Sequence, residues 1–138
     1  LTLNNHACRA MLLTGARACT DITGFGLLGH AREMAAAGGV SLVIESASVP
    51  LLPGAYDYAA AGAIPGGLRN NMDFAGCAVS AVRPVDPVLE KLLYDPQTSG
   101  GLLIAMPEAD VAKMCQLYPP ARRIGRVEPR RESLLELE

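Results

Sequence analysis

The chain is short of aromatic residues, histidines and closely spaced cysteines, and each shortage excludes a class of protein. Aromatic side chains make up 4% of the 138 residues and Trp is absent, so the core must be built from aliphatic side chains. The net charge is −2 and no basic stripe alternates with aromatic residues, so we expect no nucleic-acid partner. No apolar run approaches the ~20 residues of a membrane span, so we expect no membrane partner.

The cysteines do not form a metal-binding pattern. They stand singly, at Cys8, Cys19, Cys77 and Cys115. Because the chain has only two histidines, His6 and His30, we expect no zinc site of the Cys/His type. Isolated cysteines in a chain that is 50% hydrophobic are interpreted as reduced core residues, which predicts a cytoplasmic protein.

Helical and extended patterns alternate without internal repeats or linkers. This order and the length of 138 residues predict one α+β domain, a mixed β-sheet covered by helices. Apolar spacing predicts helices at 1–14, 27–38, 55–61, 87–94 and 107–118. Strands are predicted at 18–22, 40–45, 74–82, 102–105 and 123–127, and a loop at 64–73. Asp86 and Pro87 form an N-cap signal.

The two ends of the chain predict a piece of a longer protein. The sequence begins at Leu1 without Met, in a pattern typical of the middle of a helix. We place the domain at 1–128 and interpret 129–138 as a charged tail, with Leu137 and Glu138 as a candidate cloning scar.

The first informative motif is the segment 20–30, TDITGFGLLGH. Asp21 supplies a hard oxygen ligand suited to Mg²⁺. The threonine hydroxyls and the N-terminus of the following helix suit an anion such as phosphate. The alternative is that Thr20, Asp21 or Thr23 simply caps that helix.

The same segment contains GxGxxG from Gly24 to Gly29, which also occurs in dinucleotide-binding folds. The residues before it are polar, and Asp21 would place negative charge beside a pyrophosphate, so this alternative is the weaker one. We interpret His30 as a hydrogen-bonded structural residue and Phe25 as a packing residue.

The second motif is the loop 95–101, DPQTSGG. Pro96 and the two glycines fit ordinary turn chemistry. The run of Gln97, Thr98 and Ser99 fits a hydrogen-bonding loop aimed at a ligand or a neighbouring domain. The loop could equally hold the first motif in place.

Three segments together resemble the C-terminal domain of selenophosphate synthetase (selenide, water dikinase). They are 20–30, the segment 74–80 (FAGCAVS) and the segment 93–102 (LYDPQTSGGL). The segment 123–127 (RIGRV) is similar to the last strand of that domain, so the resemblance runs to about residue 128. Shorter versions occur across the superfamily of ATP-using enzymes related to aminoimidazole ribonucleotide synthetase.

The resemblance implies an enzyme that converts selenide, ATP and water to selenophosphate, AMP and phosphate. It implies two domains with ATP and Mg²⁺ between them, a homodimer, and Asp21 as a metal ligand. The family's catalytic Cys or selenocysteine and its Lys belong to the N-terminal domain, so no catalytic residue is assigned here. We expect this chain alone to be inactive.

Three alternatives stay open. In the first, the chain is the matching domain of a superfamily member with another phosphoryl acceptor. In the second, it is a dinucleotide-binding half-domain. In the third, it is a non-catalytic domain that contributes an interface.

Overall fold

The computed structural model describes residues 3–138, in which helices and strands alternate along the chain. The helices are α1 Asn5–Met11, α2 Gly26–Gly38, α3 Ala55–Ala60, α4 Gly66–Ala75, α5 Pro87–Leu92 and α6 Glu108–Leu117. The strands are β1 Ala18–Asp21, β2 Val40–Ile44, β3 Val79–Ala81, β4 Leu102–Ala105, β5 Gly125–Pro129 and β6 Leu135–Leu137. Short 3₁₀ turns cover Ser46–Ser48 and Gly76–Ala78. Leu1 and Thr2, part of the predicted helix 1–14, lie outside the described residues.

The strands form two sheets. β1 pairs with β4 in an antiparallel ribbon. The other four strands lie in the order β3-β6-β2-β5, where β6 is parallel to both β2 and β3 and β5 is antiparallel to β2. The predicted class, a mixed sheet covered by helices, is therefore confirmed.

The core lies where α2 covers the four-stranded sheet. Leu28, Ala31 and Ala35 on α2 have no exposed surface, and they cluster with Leu135 and Leu137 of β6. The two alanines let the helix approach the sheet closely, while each buried leucine contributes about 2 kcal/mol. This packing holds the start of α2, and with it the 20–30 segment, in a fixed position.

Several local predictions hold. Helix α2, strand β2 and helix α3 lie where the apolar spacing placed them. Helix α5 begins at Pro87, and the Asp86 carboxylate accepts hydrogen bonds from the Val88 and Leu89 N–H groups. Within residues 3–138, no helix combines the length and hydropathy needed to cross a membrane.

The predicted loop at 64–73 is wrong, because Gly66–Ala75 forms helix α4. Leu68, Asn71 and Ala75 are buried on one face of this helix, and that burial outweighs the weak helix propensity of Gly and Asn. Of the predicted strand 74–82, only Val79–Ala81 is extended, because residues 74 and 75 belong to α4 and Gly76–Ala78 forms a 3₁₀ turn.

The interpretation of 129–138 as an unpatterned tail missed strand β6. Leu135 and Leu137 are completely buried, and β6 lies between β2 and β3 in the sheet. The strand predicted at 123–127 is present with shifted bounds, as β5 from Gly125 to Pro129, but it is not the last strand because β6 follows it. Strand β4 is half-buried rather than buried.

Candidate functional site

The pairing of β1 with β4 brings the two sequence motifs together. Asp21 is opposite Leu102 in the ribbon. Beyond this pair, the Ile22 N–H donates to the Gly101 carbonyl at 2.9 Å, and the Gln97 N–H donates to the Thr23 carbonyl at 3.0 Å. The segment 20–30, called here the Asp21 segment, and the loop 95–101, called the Asp95 loop, therefore form one structural unit.

Two glycines permit the close approach of these backbones. Gly26 has φ +68°, and a Cβ built on it would lie 2.7 Å from the carbonyl carbon and oxygen of Tyr94. A Cβ on Gly100 would overlap the carbonyl oxygen of Ile22. These two glycines therefore serve close contact between protein backbones.

The N-terminus of α2 is partly occupied by the protein itself. The Gly26 N–H donates to the Thr23 carbonyl at 3.0 Å, and the Leu28 N–H donates to the Leu93 carbonyl at 3.1 Å. The expectation that these first-turn donors are free for phosphate is wrong for both groups. The capping alternative is also wrong, because Phe25 occupies the N-cap position and no side chain caps the helix.

The Asp21 side chain is exposed at the end of β1. Among residues 3–138 its carboxylate has no hydrogen-bond or salt-bridge partner; the backbone carbonyl alone accepts a bond, from the Thr20 hydroxyl at 3.2 Å. No group of three or more His, Cys, Asp or Glu side chains within that range is arranged to hold a metal ion. The site fits Mg²⁺ as a contributor of one oxygen ligand, with the others supplied by phosphates, water or other protein groups.

His30 is hydrogen-bonded, as predicted. Its Nε2 atom shares a hydrogen bond of 3.0 Å with the Thr23 hydroxyl, and its Nδ1 atom lies 3.8 Å from the Glu33 carboxylate. The His30 ring centroid is 5.5 Å from that of Phe25. These contacts tie the turn before α2 to the helix that follows it, which is a structural role.

Phe25 joins α2 to α4. Its ring stacks on Phe74 with centroids 5.2 Å apart and an interplanar angle of 22°. The Arg32 guanidinium carbon lies 4.7 Å from the centroid of Phe74. Phe25 is half exposed, yet it packs against α4, as predicted for a packing residue.

Asn71 on α4 is the site residue that sequence reasoning missed. It is 6% exposed, and its side-chain amide nitrogen donates to the carbonyls of Gly24 and Tyr94, each at 2.9 Å. One amide thus bridges the Asp21 segment and the residue that precedes the Asp95 loop. The available signal was the helical spacing of Leu68, Met72 and Ala75, which places Asn71 on the buried face.

In the Asp95 loop, Gln97 and Asp95 are hydrogen-bonded to each other, whereas Thr98 and Ser99 are exposed to solvent. Gln97 Nε2 donates to the Asp95 carboxylate at 3.2 Å and to the Asp95 carbonyl at 3.3 Å. Desolvation raises the pKa of Asp95 above its usual value, and the bond from Gln97 opposes that rise. Thr98 and Ser99 are exposed in the stretch that runs past Ile22, so their hydroxyls are accessible beside the Asp21 segment.

The cysteines do not form a nucleophilic site. All four are free; Cys8 and Cys115 are partly buried, whereas Cys19 and Cys77 are exposed, which corrects the interpretation of all four as core residues. Burial raises the pKa of the Cys19 thiol, and the nearby Cys8 and Asp21 add to the rise. The Cys19 thiol is therefore protonated at neutral pH and a poor nucleophile.

The sheet topology contradicts the dinucleotide-binding alternative. That fold requires parallel β1 and β2 in one sheet around the GxGxxG turn. Here β1 pairs antiparallel with β4, and β2 belongs to the other sheet. The GxGxxG match is therefore a coincidence of sequence.

Comparison with protein families agrees with this architecture. Residues 2–137 match the model of the family described as AIR synthase related protein, C-terminal domain. The chain belongs to this family, which confirms the class suggested by the sequence motifs.

Curated relatives narrow the resemblance to selenophosphate synthetases. The chain is 41% identical over 130 residues to a protein named selenide, water dikinase from Clostridium botulinum, covering 91% of this chain and 38% of that protein. It is 51% identical over 112 residues to one of the same name from Bordetella bronchiseptica, covering 81% of this chain and 32% of that protein. The chain thus spans less than half the length of these relatives.

Solved structures share the fold. Thiamine monophosphate kinase from Aquifex aeolicus superposes with a TM-score of 0.56 at 20% identity, covering 99% of this chain and 36% of that chain. HypE from E. coli superposes with a TM-score of 0.57 at 21% identity, covering 95% of this chain and 34% of that chain. At such identities the likeness concerns architecture alone.

Proposed function

We propose that this chain is the C-terminal domain of an ATP-dependent enzyme that makes selenophosphate from selenide, ATP and water, releasing AMP and phosphate. The observation that carries the proposal is the similarity to proteins named selenide, water dikinase, at 41% and 51% identity. The joined Asp21 segment and Asp95 loop support it, because these are the segments in which the resemblance is most specific.

Asp21 is the proposed metal ligand in this mechanism. When bound, Mg²⁺ supplies neutralisation of the negative charge on the phosphates of ATP. The β1–β4 ribbon fixes the backbone position of Asp21, and the exposure of its side chain leaves the carboxylate oxygens open to an ion held between this domain and the rest of the enzyme. The exposed hydroxyls of Thr98 and Ser99 supply hydrogen-bond donors in the loop that is bonded to the Asp21 segment.

The rest of the active site belongs, in this proposal, to an N-terminal domain that carries the catalytic Cys or selenocysteine and a Lys. Phosphoryl transfer depends on positioning and charge neutralisation from several groups, and residues 3–138 contain no group of three or more metal-ligating side chains. We expect the intact enzyme to be a cytoplasmic homodimer, and the isolated chain to be inactive.

Product analysis on the intact enzyme tests the proposed reaction. We expect AMP formation from Mg-ATP to depend on added selenide, with a phosphorus–selenium product detectable by ³¹P NMR. A selenide-independent reaction that phosphorylates another acceptor would assign the chain to a different member of the superfamily.

A further inference from the structure

The buried amide of Asn71 lies between the two parts of the candidate site. Gly24, one of its acceptors, is three residues after Asp21, and Tyr94, the other, immediately precedes Asp95. A single side chain thus contacts both backbones at the point where they come together. It does so from α4, a helix outside both motifs.

The chemistry of this position requires an amide. Both partners are carbonyl oxygens, so the amide nitrogen must face them, and each of its two N–H groups is used by one acceptor. With 6% of its surface exposed, Asn71 has little access to water that could replace either bond. Loss of the amide therefore leaves two carbonyls without their donor.

Helix α4 holds this amide in a fixed position. Leu68 is 1% exposed and Ala75 has no exposed surface, so the helix is anchored in the core on either side of Asn71. The stacking of Phe74 on Phe25 adds a second attachment, to the start of α2. A rigid helix thus presents a rigid donor pair to both segments.

We propose that Asn71 is a positioning residue that couples the Asp21 segment to the Asp95 loop, so that Asp21, Thr98 and Ser99 face the same Mg-ATP. This inference deepens the proposed function and rests on it. Without the two bonds, the backbone carrying Asp21 and the backbone carrying the loop hydroxyls lose a shared attachment, and ligand binding at both weakens.

The test compares Asn71→Ala with Asn70→Ala in the intact enzyme. Asn70 is the neighbouring residue on the same helix and is exposed, so its substitution is a matched control. Amide hydrogen exchange of peptides covering 20–28 and 93–101 reports the coupling directly, and Mn²⁺ binding followed by electron paramagnetic resonance reports the metal site. Asn71→Ser retains one donor and serves as the milder variant if Asn71→Ala does not fold.

We expect Asn71→Ala to speed exchange in both peptides and to raise the Kd for Mn²⁺ about tenfold, with Asn71→Ser between it and the parent. Asn70→Ala should change neither measurement. Equal Mn²⁺ affinity and equal exchange in the Asn71 and Asn70 variants would overturn the inference, even if the Asn71 variants unfold more easily. If Asn71→Ala weakens Mn²⁺ binding while Asp21→Asn does not, the coupling stands and the proposed metal role of Asp21 fails.

Discussion

Gly26 lies directly against the carbonyl of Tyr94, and this contact joins the start of α2 to the entrance of the Asp95 loop. The backbone of Gly26 adopts φ +68°, and a Cβ there would lie 2.7 Å from the Tyr94 carbonyl. The contact explains why a glycine is required at this position of the Asp21 segment without reference to any ligand.

Replacing Gly26 with Ala should destabilise the fold strongly. The positive φ costs about 1–2 kcal/mol for a residue with a Cβ, and the overlap with the Tyr94 carbonyl adds about 1–3 kcal/mol. Urea denaturation should show a lower midpoint with an unchanged slope. Gly24→Ala is the control, because a Cβ at Gly24 meets no atom within 4 Å. Equal stability of the two variants would contradict the described contact.

Asp95→Asn should stabilise the protein at neutral pH. Desolvation raises the pKa of Asp95 in the folded state, so the folded protein binds more protons than the unfolded chain between the usual pKa and the raised one. Stability is therefore lost as the pH rises through that window. The Asn side chain keeps an oxygen for the bond from Gln97 and removes the charge.

Thermal unfolding across pH checks this prediction. The stability gained by the Asp95→Asn variant should disappear below about pH 3, where the aspartate is protonated in both states. A difference between the two proteins that is the same at pH 3 and pH 7 would show that the desolvated charge is not its cause.

The 138-residue chain alone should not turn over ATP. Its described residues contain no cluster of three metal-ligating side chains, and the exposed thiol nearest to Asp21 in the chain, Cys19, has a raised pKa. Incubation with selenide and Mg-ATP should therefore yield no AMP above the uncatalysed background. Selenide-dependent AMP formation by this chain would mean that the catalytic groups lie within it.

The parts of the fold that the sequence predicted well are those with strong local patterns. Helix α2 is identified by apolar residues that repeat at helical spacing, namely Leu27, Leu28, Ala31, Met34 and Ala35. Strand β2 is identified by the β-branched residues that follow Gly39. Helix α4 was missed because its glycines and asparagines are typical of loops, and burial of Leu68 and Ala75 decides its structure.

Strand β6 was missed although a signal existed. Leu135 and Leu137 alternate with Glu136 and Glu138, which is the period of a half-buried strand. The pattern covers only three residues and lies among charged residues, so the sequence was interpreted as a charged tail. Its pairing with β2 and β3 is non-local, and no local preference specifies such a pairing.

For the candidate site, the sequence identified the two motifs and not the relation between them. It left open whether the Asp95 loop touches a ligand or holds the first motif. The bonds from Ile22 to Gly101 and from Gln97 to Thr23 support the holding role for its backbone. Asn71 could not be found from either motif, because it reaches the site from a helix that the sequence predicted to be a loop.

The metal role of Asp21 is tested by the Mg²⁺ dependence of the intact enzyme carrying Asp21→Asn. Asp57→Asn, which changes an exposed aspartate on α3, is the control. We expect the Asp21 variant to need at least about tenfold more Mg²⁺ for half-maximal rate and to be about a hundredfold slower. Its unfolding midpoint should be unchanged, because the Asp21 carboxylate has no partner among residues 3–138. A near-normal rate for the Asp21 variant at limiting Mg²⁺ would show that Asp21 does not hold the metal.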